Sequence, residues 1–136
     1  MTFKEARERM KVRCFQAALE NTPENVKMVR IRASLSGVAL LREGILVGPR
    51  PATRKSLYIF LHECAHFHLH ASGRKARYIE EYEAEMWAHN KMREAGLRVP
   101  RSMTKSAKDH IRRKITQAEN RGLKTVRSDV KKFSQC

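Results

Sequence analysis

Apolar residues recur at helical spacing near the N-terminus, where Phe3, Ala6, Met10, Cys14 and Ala17 share one stripe that runs to about Leu19. Thr2 with Glu5 three positions on has the form of a capping box, so the pattern predicts a first helix. Asn21-Thr22-Pro23-Glu24-Asn25 is turn chemistry. Beyond it Val29, Ile31 and Ala33 alternate with Arg30 and Arg32, the two-residue period of a half-buried strand. Two short apolar runs, Val38 to Leu41 and Ile45 to Val47, are joined by Arg42-Glu43-Gly44 and read as a β-hairpin. The expected sheet is small and antiparallel, with about three strands.

Gly48-Pro49-Arg50-Pro51 ends the sheet. Thr53 or Ser56 caps a second helix through Leu57, Phe60, Leu61, Ala65 and Leu69 to about His70, which Ala71-Ser72-Gly73 closes. A basic loop with Arg74, Lys75 and Arg77 precedes a third helix from about Tyr78 to Ala95, ended by Gly96. A fourth runs from about Ser102 to Asn120 and stops at Gly122, and the polar residues after it are expected to fray. The fold class is α+β: a small sheet packed on a helical core, residues 1–100, followed by a basic helical segment, residues 101–136.

Composition narrows the picture. At 136 residues the chain suits one ordinary domain. No run approaches the roughly 18 apolar residues of a membrane span, and charges stand where a signal peptide needs an apolar stretch. Cys14, Cys64 and Cys136 are odd in number and form no C-x-x-C pair, so neither a cysteine metal site nor a disulfide framework is suggested, and a reducing cytoplasm fits. The 29 Lys and Arg against 14 Asp and Glu give a formal charge of +15, which attracts nucleic acid or acidic proteins. Arg112, Arg113, Lys114, Arg121 and Lys124 concentrate that charge after the third helix, and are candidate contacts to such a partner. Phe133 is the only aromatic residue there, so no base-stacking platform is expected.

The second helix contains His62-Glu63-Cys64-Ala65-His66. Residues four apart on a helix share a face, so His62 and His66 can bind one zinc ion, while Glu63 flanks it where a carboxylate can take a proton from water. Catalytic zinc usually takes a third protein ligand and keeps one position open. Glu80, Glu81, Glu83 and Glu85 are available on the third helix. Ile79, Tyr82, Glu83, Met86 and Asn90 make one stripe from which Glu81 and Glu85 fall away, so Glu83 is the expected ligand. Cys64, on another face, is a small core residue. A neutral donor for a tetrahedral oxyanion could come from Tyr82, Tyr78, His68 or His70, and spacing does not choose among them.

The hairpin, the His62-Glu63-Cys64-Ala65-His66 helix with Leu69-His70, and Glu81-Tyr82-Glu83-Ala84 with Ala88 resemble the ImmA/IrrE family of zinc metallopeptidases, over roughly Val38 to Lys91. The resemblance implies a zincin-like, gluzincin-type site with His62, His66 and Glu83 on Zn2+ and Glu63 as general base. It also implies a minimal version of the family without a helix-turn-helix domain, encoded by a phage or mobile element. The expected activity is hydrolysis of a cytoplasmic, possibly nucleic-acid-bound, protein. The alternative is a nucleic-acid-binding or antirestriction-like protein whose zinc fold is not proteolytic.

Overall fold

In the computed structural model, which describes residues 1–135, the chain forms α1 (Phe3–Asn21), β1 (Met28–Arg32), β2 (Val38–Leu40), β3 (Ile45–Pro49), α2 (Arg54–His70), α3 (Arg77–Glu94), α4 (Arg101–Asn120) and α5 (Ser128–Gln135). The α+β class expected from the periodicities is the class observed. β3 has the most buried side chains of the three strands and takes the centre of the sheet, in the order β1-β3-β2. β2 pairs with it antiparallel, Val38 opposite Val47 and Leu40 opposite Ile45, as the hairpin pattern predicts. Gly44 makes the turn at φ 72°, a conformation L side chains rarely adopt.

Two features of the sheet differ from expectation. β1 lies on the other edge of β3 and runs parallel to it, Met28 opposite Ile45 and Arg32 opposite Pro49, so the sheet is mixed rather than antiparallel. The cause is that β3 inserts between β1 and β2 instead of extending a meander. β1 is also exposed along its whole length rather than half buried, because α2 packs on β3 and β2 and no second layer reaches the outer edge.

α2 begins in a reciprocal cap. The Thr53 hydroxyl accepts from Ser56 N at 3.1 Å, and the Ser56 hydroxyl accepts from Thr53 N at 3.0 Å, so both predicted capping residues take part. Its apolar face joins Cys14, Leu46, Leu57, Leu61, Ala88 and Met92 in the main core, which ties α1, β3, α2 and α3 together. Only the C-terminal half of the α1 stripe is used. Cys14, Ala17 and Ala18 are buried, whereas Phe3 projects beyond the core. Cys14 and Cys64 are free and buried, and Cys136 lies outside the described residues. Among the described residues no helix is long and apolar enough to cross a membrane.

A second core holds Tyr78, Ile111, Ile115 and Val130, with Ile79, Tyr82, Leu123, Val126 and Phe133 packed around it. It corrects the expectation that the chain frays after Gly122. Val126, Val130 and Phe133 recur four and three residues apart, an apolar stripe thin enough to hide in a polar segment, and α5 lays it onto α3 and α4. The Phe133 ring meets Tyr82 edge-on at 5.6 Å, and Arg127 N donates to the Tyr78 hydroxyl at 3.1 Å.

The fully buried Ile111 is the centre of this second core. Ile111→Ala is expected to lower stability by about 2–5 kcal/mol in urea denaturation, as deleting buried methyl groups does when the cavity cannot collapse. A loss below about 0.5 kcal/mol would show that α4 and α5 contribute little to the folded unit.

Candidate metal centre

α2 delivers His62 and His66 to one face a single turn apart, with Glu63 beside them, and all three are buried. Their ligand atoms lie within 4.8 Å of one another, and the group could hold a metal ion. The two Nε2 atoms are 3.2 Å apart. Into the same space α3 projects Glu81, whose Oε2 is 2.8 Å from His66 Nε2 and 3.2 Å from His62 Nε2. Its other oxygen is held by Arg77 at 3.1 Å and by His110 of α4 at 3.3 Å.

Glu83, the expected third ligand, is elsewhere. Its carboxylate is half buried and pairs with Lys75 Nζ at 2.8 Å and His70 Nε2 at 3.1 Å. The reason is that α3 is covered on two sides. Glu81, Ala84, Glu85, Ala88 and Met92 are one buried stripe, whereas Tyr78, Ile79 and Tyr82 turn to the second core. The bulky residues that seemed to mark the inward face therefore mark the α4 and α5 side. The signal that could have found Glu81 is the small pair Ala84 and Ala88, which lets two helices approach closely and shares a face with Glu81 and Glu85.

Around the cluster a layer of partners fixes which ring nitrogens carry protons. His62 Nδ1 is in ion-pair contact with Glu85 Oε1 at 2.6 Å. Glu85 in turn accepts from the Tyr58 hydroxyl, which also meets His89 Nδ1 at 3.0 Å, and His89 Nε2 meets the Thr104 hydroxyl at 3.1 Å. On the other side His66 Nδ1 is 3.0 Å from His70 Nδ1, and His70 Nε2 faces Glu83. Glu83 accepts from His70 Nε2–H, so a neutral His70 must accept at Nδ1 from His66 Nδ1–H. Both Nε2 lone pairs then aim at the space that Glu81 Oε2 already faces. Among the described residues Glu81 Oε2 and His62 Nδ1 are the buried side-chain atoms without a well-directed hydrogen bond. Of these two, Glu81 Oε2 belongs to the converging set, and with the Nε2 atoms of His62 and His66 it makes three acceptors that fit a cation.

The charges of the cluster follow. Burial works against a charge on His62, but the carboxylates of Glu85 and Glu81 outweigh it and hold its pKa well above the ordinary histidine range, so that a proton takes the Nε2 position, from which a cation would displace it. Burial lowers His66, which cannot share protonation with a ring nitrogen 3.2 Å away. Glu81 stays ionised, because His110, His62 and His66 overcome its desolvation. Glu63, buried with weaker compensation, has its carboxyl pushed up to about 7. It owes its place to Gly37 at the start of the hairpin. A Cβ there would sit 2.8 Å from Glu63 Cγ and 2.8 Å from the Val47 carbonyl oxygen. Only glycine lets the strand backbone close over the carboxylate.

Two open chambers meet at His62, Glu63 and His110. One, about 560 Å³, lies between α2 and α4 and is lined by Ile59, Met103, Ala107 and Arg113 among others. The other, about 450 Å³, runs beside the outer edge strand β2 and reaches Arg42, Arg74 and Arg77. Of the donors expected from spacing, none lines either chamber. Tyr78 and Tyr82 are in the second core, His70 is buried behind His66, and the His68 ring packs on Trp87 with Nε2 3.1 Å from the Asn21 carbonyl oxygen. Sequence reading missed His110 because α4 looked like a separate basic segment. Cys64 is a core residue as expected, its thiol pushed up to about 12 by burial.

The basic residues singled out from the sequence lie in different surroundings. Arg112 is tied to the Ser134 carbonyl and Asp109, Arg113 lines the first chamber, and Lys114 pairs with Gln117. Arg121 and Lys124 are exposed in the turn before α5. The chain matches no family model, no curated protein and no solved structure.

The geometry separates Glu81 from Glu83 by experiment. In zinc titrations of purified protein, Glu81→Ala is expected to abolish tight binding, whereas Glu83→Ala, which acts only through His70, keeps it with affinity about 10–100-fold weaker. The opposite ranking would return the ligand role to Glu83.

Proposed function

We propose that the protein is a zinc-dependent peptidase of the ImmA/IrrE type, with Zn2+ on His62, His66 and Glu81. The observation that carries the reading is the convergence of two Nε2 atoms and one carboxylate oxygen, 2.8–3.2 Å apart, beside a buried Glu63 that opens onto two chambers. That spacing is close to the roughly 3.3 Å edge of a tetrahedron with bonds of about 2.0–2.1 Å, the geometry zinc prefers with nitrogen and oxygen donors. When bound, zinc supplies a Lewis acid that acidifies water and polarises a carbonyl.

The chain's own residues do the rest. Glu63 removes a proton from the attacking water and returns it to the leaving amine nitrogen, and its burial beside the cluster, open to both chambers, places it for both steps. His110 lines both chambers with Glu63 and replaces the tyrosines as the donor to the tetrahedral oxyanion. Glu85 orients His62, and His70 with Glu83 orients His66. Gly37 lets β2 close over Glu63, which sets the free edge of β2 beside the second chamber, where an extended peptide can lie. The free buried thiols support a cytoplasmic setting.

A structural zinc site is closed on all four sides and needs no neighbouring base, so the chambers at Glu63 argue against a non-proteolytic nucleic-acid-binding scaffold.

Glu63→Gln and Gly37→Ala are each expected to keep one zinc per chain, measured by atomic emission, and to lower hydrolysis of a cleaved substrate by at least about 100-fold. Undiminished turnover in Glu63→Gln would remove it as the base. His110→Phe is expected to reduce kcat by about 10²-fold with little change in KM, the signature of a group that binds only the transition state; a KM effect alone would make it a substrate contact.

A further inference from the structure

We propose that the cleft selects an acidic peptide segment, seating a large apolar side chain between α2 and α4 with carboxylates of the same segment on either side. This rests on the peptidase reading and names its substrate class.

The argument starts from charges that are already spent. Arg74 is bidentate on Glu80, and Arg77 is held by Glu80 and Glu81, so neither is free for a ligand. Three other cations line the chambers with no hydrogen bond or ion pair among the described residues: Lys55 and Arg113 in the first, Arg42 in the second. Their positions follow from helix geometry. Lys55 precedes His62 by seven residues, about 10 Å along α2, and so marks the far end of the first chamber. Arg113 stands one turn beyond His110 on α4. Arg42 is at the other end, next to the edge strand. Apart from the carboxylates clustered at the histidines, the acidic lining residue is Glu43 at the hairpin tip. Cations spaced along a cleft with so little countercharge attract carboxylates and repel basic segments.

Between those cations the first chamber is apolar. Ile59 and Met103, both half buried, and Ala107 form its walls, and about 560 Å³ is ample for one large side chain. A peptide is favoured over an oligonucleotide because the second chamber is bounded by the unpaired edge of β2, which offers main-chain hydrogen bonds. In addition Tyr58, the one aromatic lining residue of the two chambers, is buried and engaged with Glu85 and offers no stacking surface.

The test reads binding, so it does not depend on turnover. Zinc-loaded full-length Glu63→Gln protein is titrated by fluorescence anisotropy at physiological salt with three dodecapeptides, each with a central leucine flanked by glutamates, serines or lysines. The glutamate peptide is expected to bind at least about tenfold more tightly than the lysine peptide. Lys55→Glu with Arg113→Glu should abolish or reverse that preference, while Lys124→Glu with Lys131→Glu, the same charge change away from the cleft, should leave it in place. Equal affinities, or an equal loss in the remote variant, would overturn the proposal. So would a twelve-nucleotide single strand that binds more tightly than any peptide and is lost in the cleft variant, since the cleft would then be a nucleic-acid site. Wild-type protein that binds the acidic peptide selectively but cuts none of the three would sink the peptidase reading and leave the selectivity standing. Equal cutting of acidic and basic peptides would do the reverse.

Discussion

Three electron-pair donors forced to face one another in a buried space are the constraint around which this molecule is arranged. Two imidazole nitrogens and a carboxylate oxygen repel unless a positive charge, an ion or the proton that the carboxylates hold on His62, lies between them, and burial removes the water that would dilute the repulsion. The fold holds them there through a surround of opposite charge and hydrogen bonds: Arg77 and His110 on Glu81, Glu85 on His62, His70 and Glu83 on His66. Each of those partners comes from α2, α3 or α4, so the three helices cannot shift independently without exposing the conflict.

Much of this was legible from periodicity. The helix carrying His62, Glu63 and His66, its cap at Thr53 and Ser56, and the hairpin before it all depend on local spacing, which a single chain displays directly. The parallel pairing of β1 was not legible, because nothing in a strand's own residues says which neighbour will slip between it and the next. The expectation of Glu83 as third ligand parts from the geometry for a related reason. Hydrophobic patterning finds the face with the largest side chains, and on α3 those serve the second core, while the face against α2 is made of alanines and carboxylates. A site that needs buried charge and close backbone approach looks, in a one-dimensional pattern, like a solvent-facing surface.

The C-terminal helices change meaning in three dimensions. As sequence they are a basic appendage, but α4 supplies His110 to the cluster and a wall to the cleft, and α5 fixes α4 in place with Val130 and Phe133. Their charge is correspondingly divided. Part of it neutralises Asp109 and caps the α5 carbonyl at Ser134, and part is turned toward the cleft.

The path from His62 through Glu85, Tyr58 and His89 to Thr104 ends near the start of α4, on the helix that walls the cleft. Free energies of binding at two coupled places are reciprocal. An occupant that shifted α4 would therefore alter, through this relay, the basicity of His62 toward an ion, and an ion would by the same amount alter the affinity for the occupant. Metal retention and cleft occupancy would in this sense be one equilibrium with two handles.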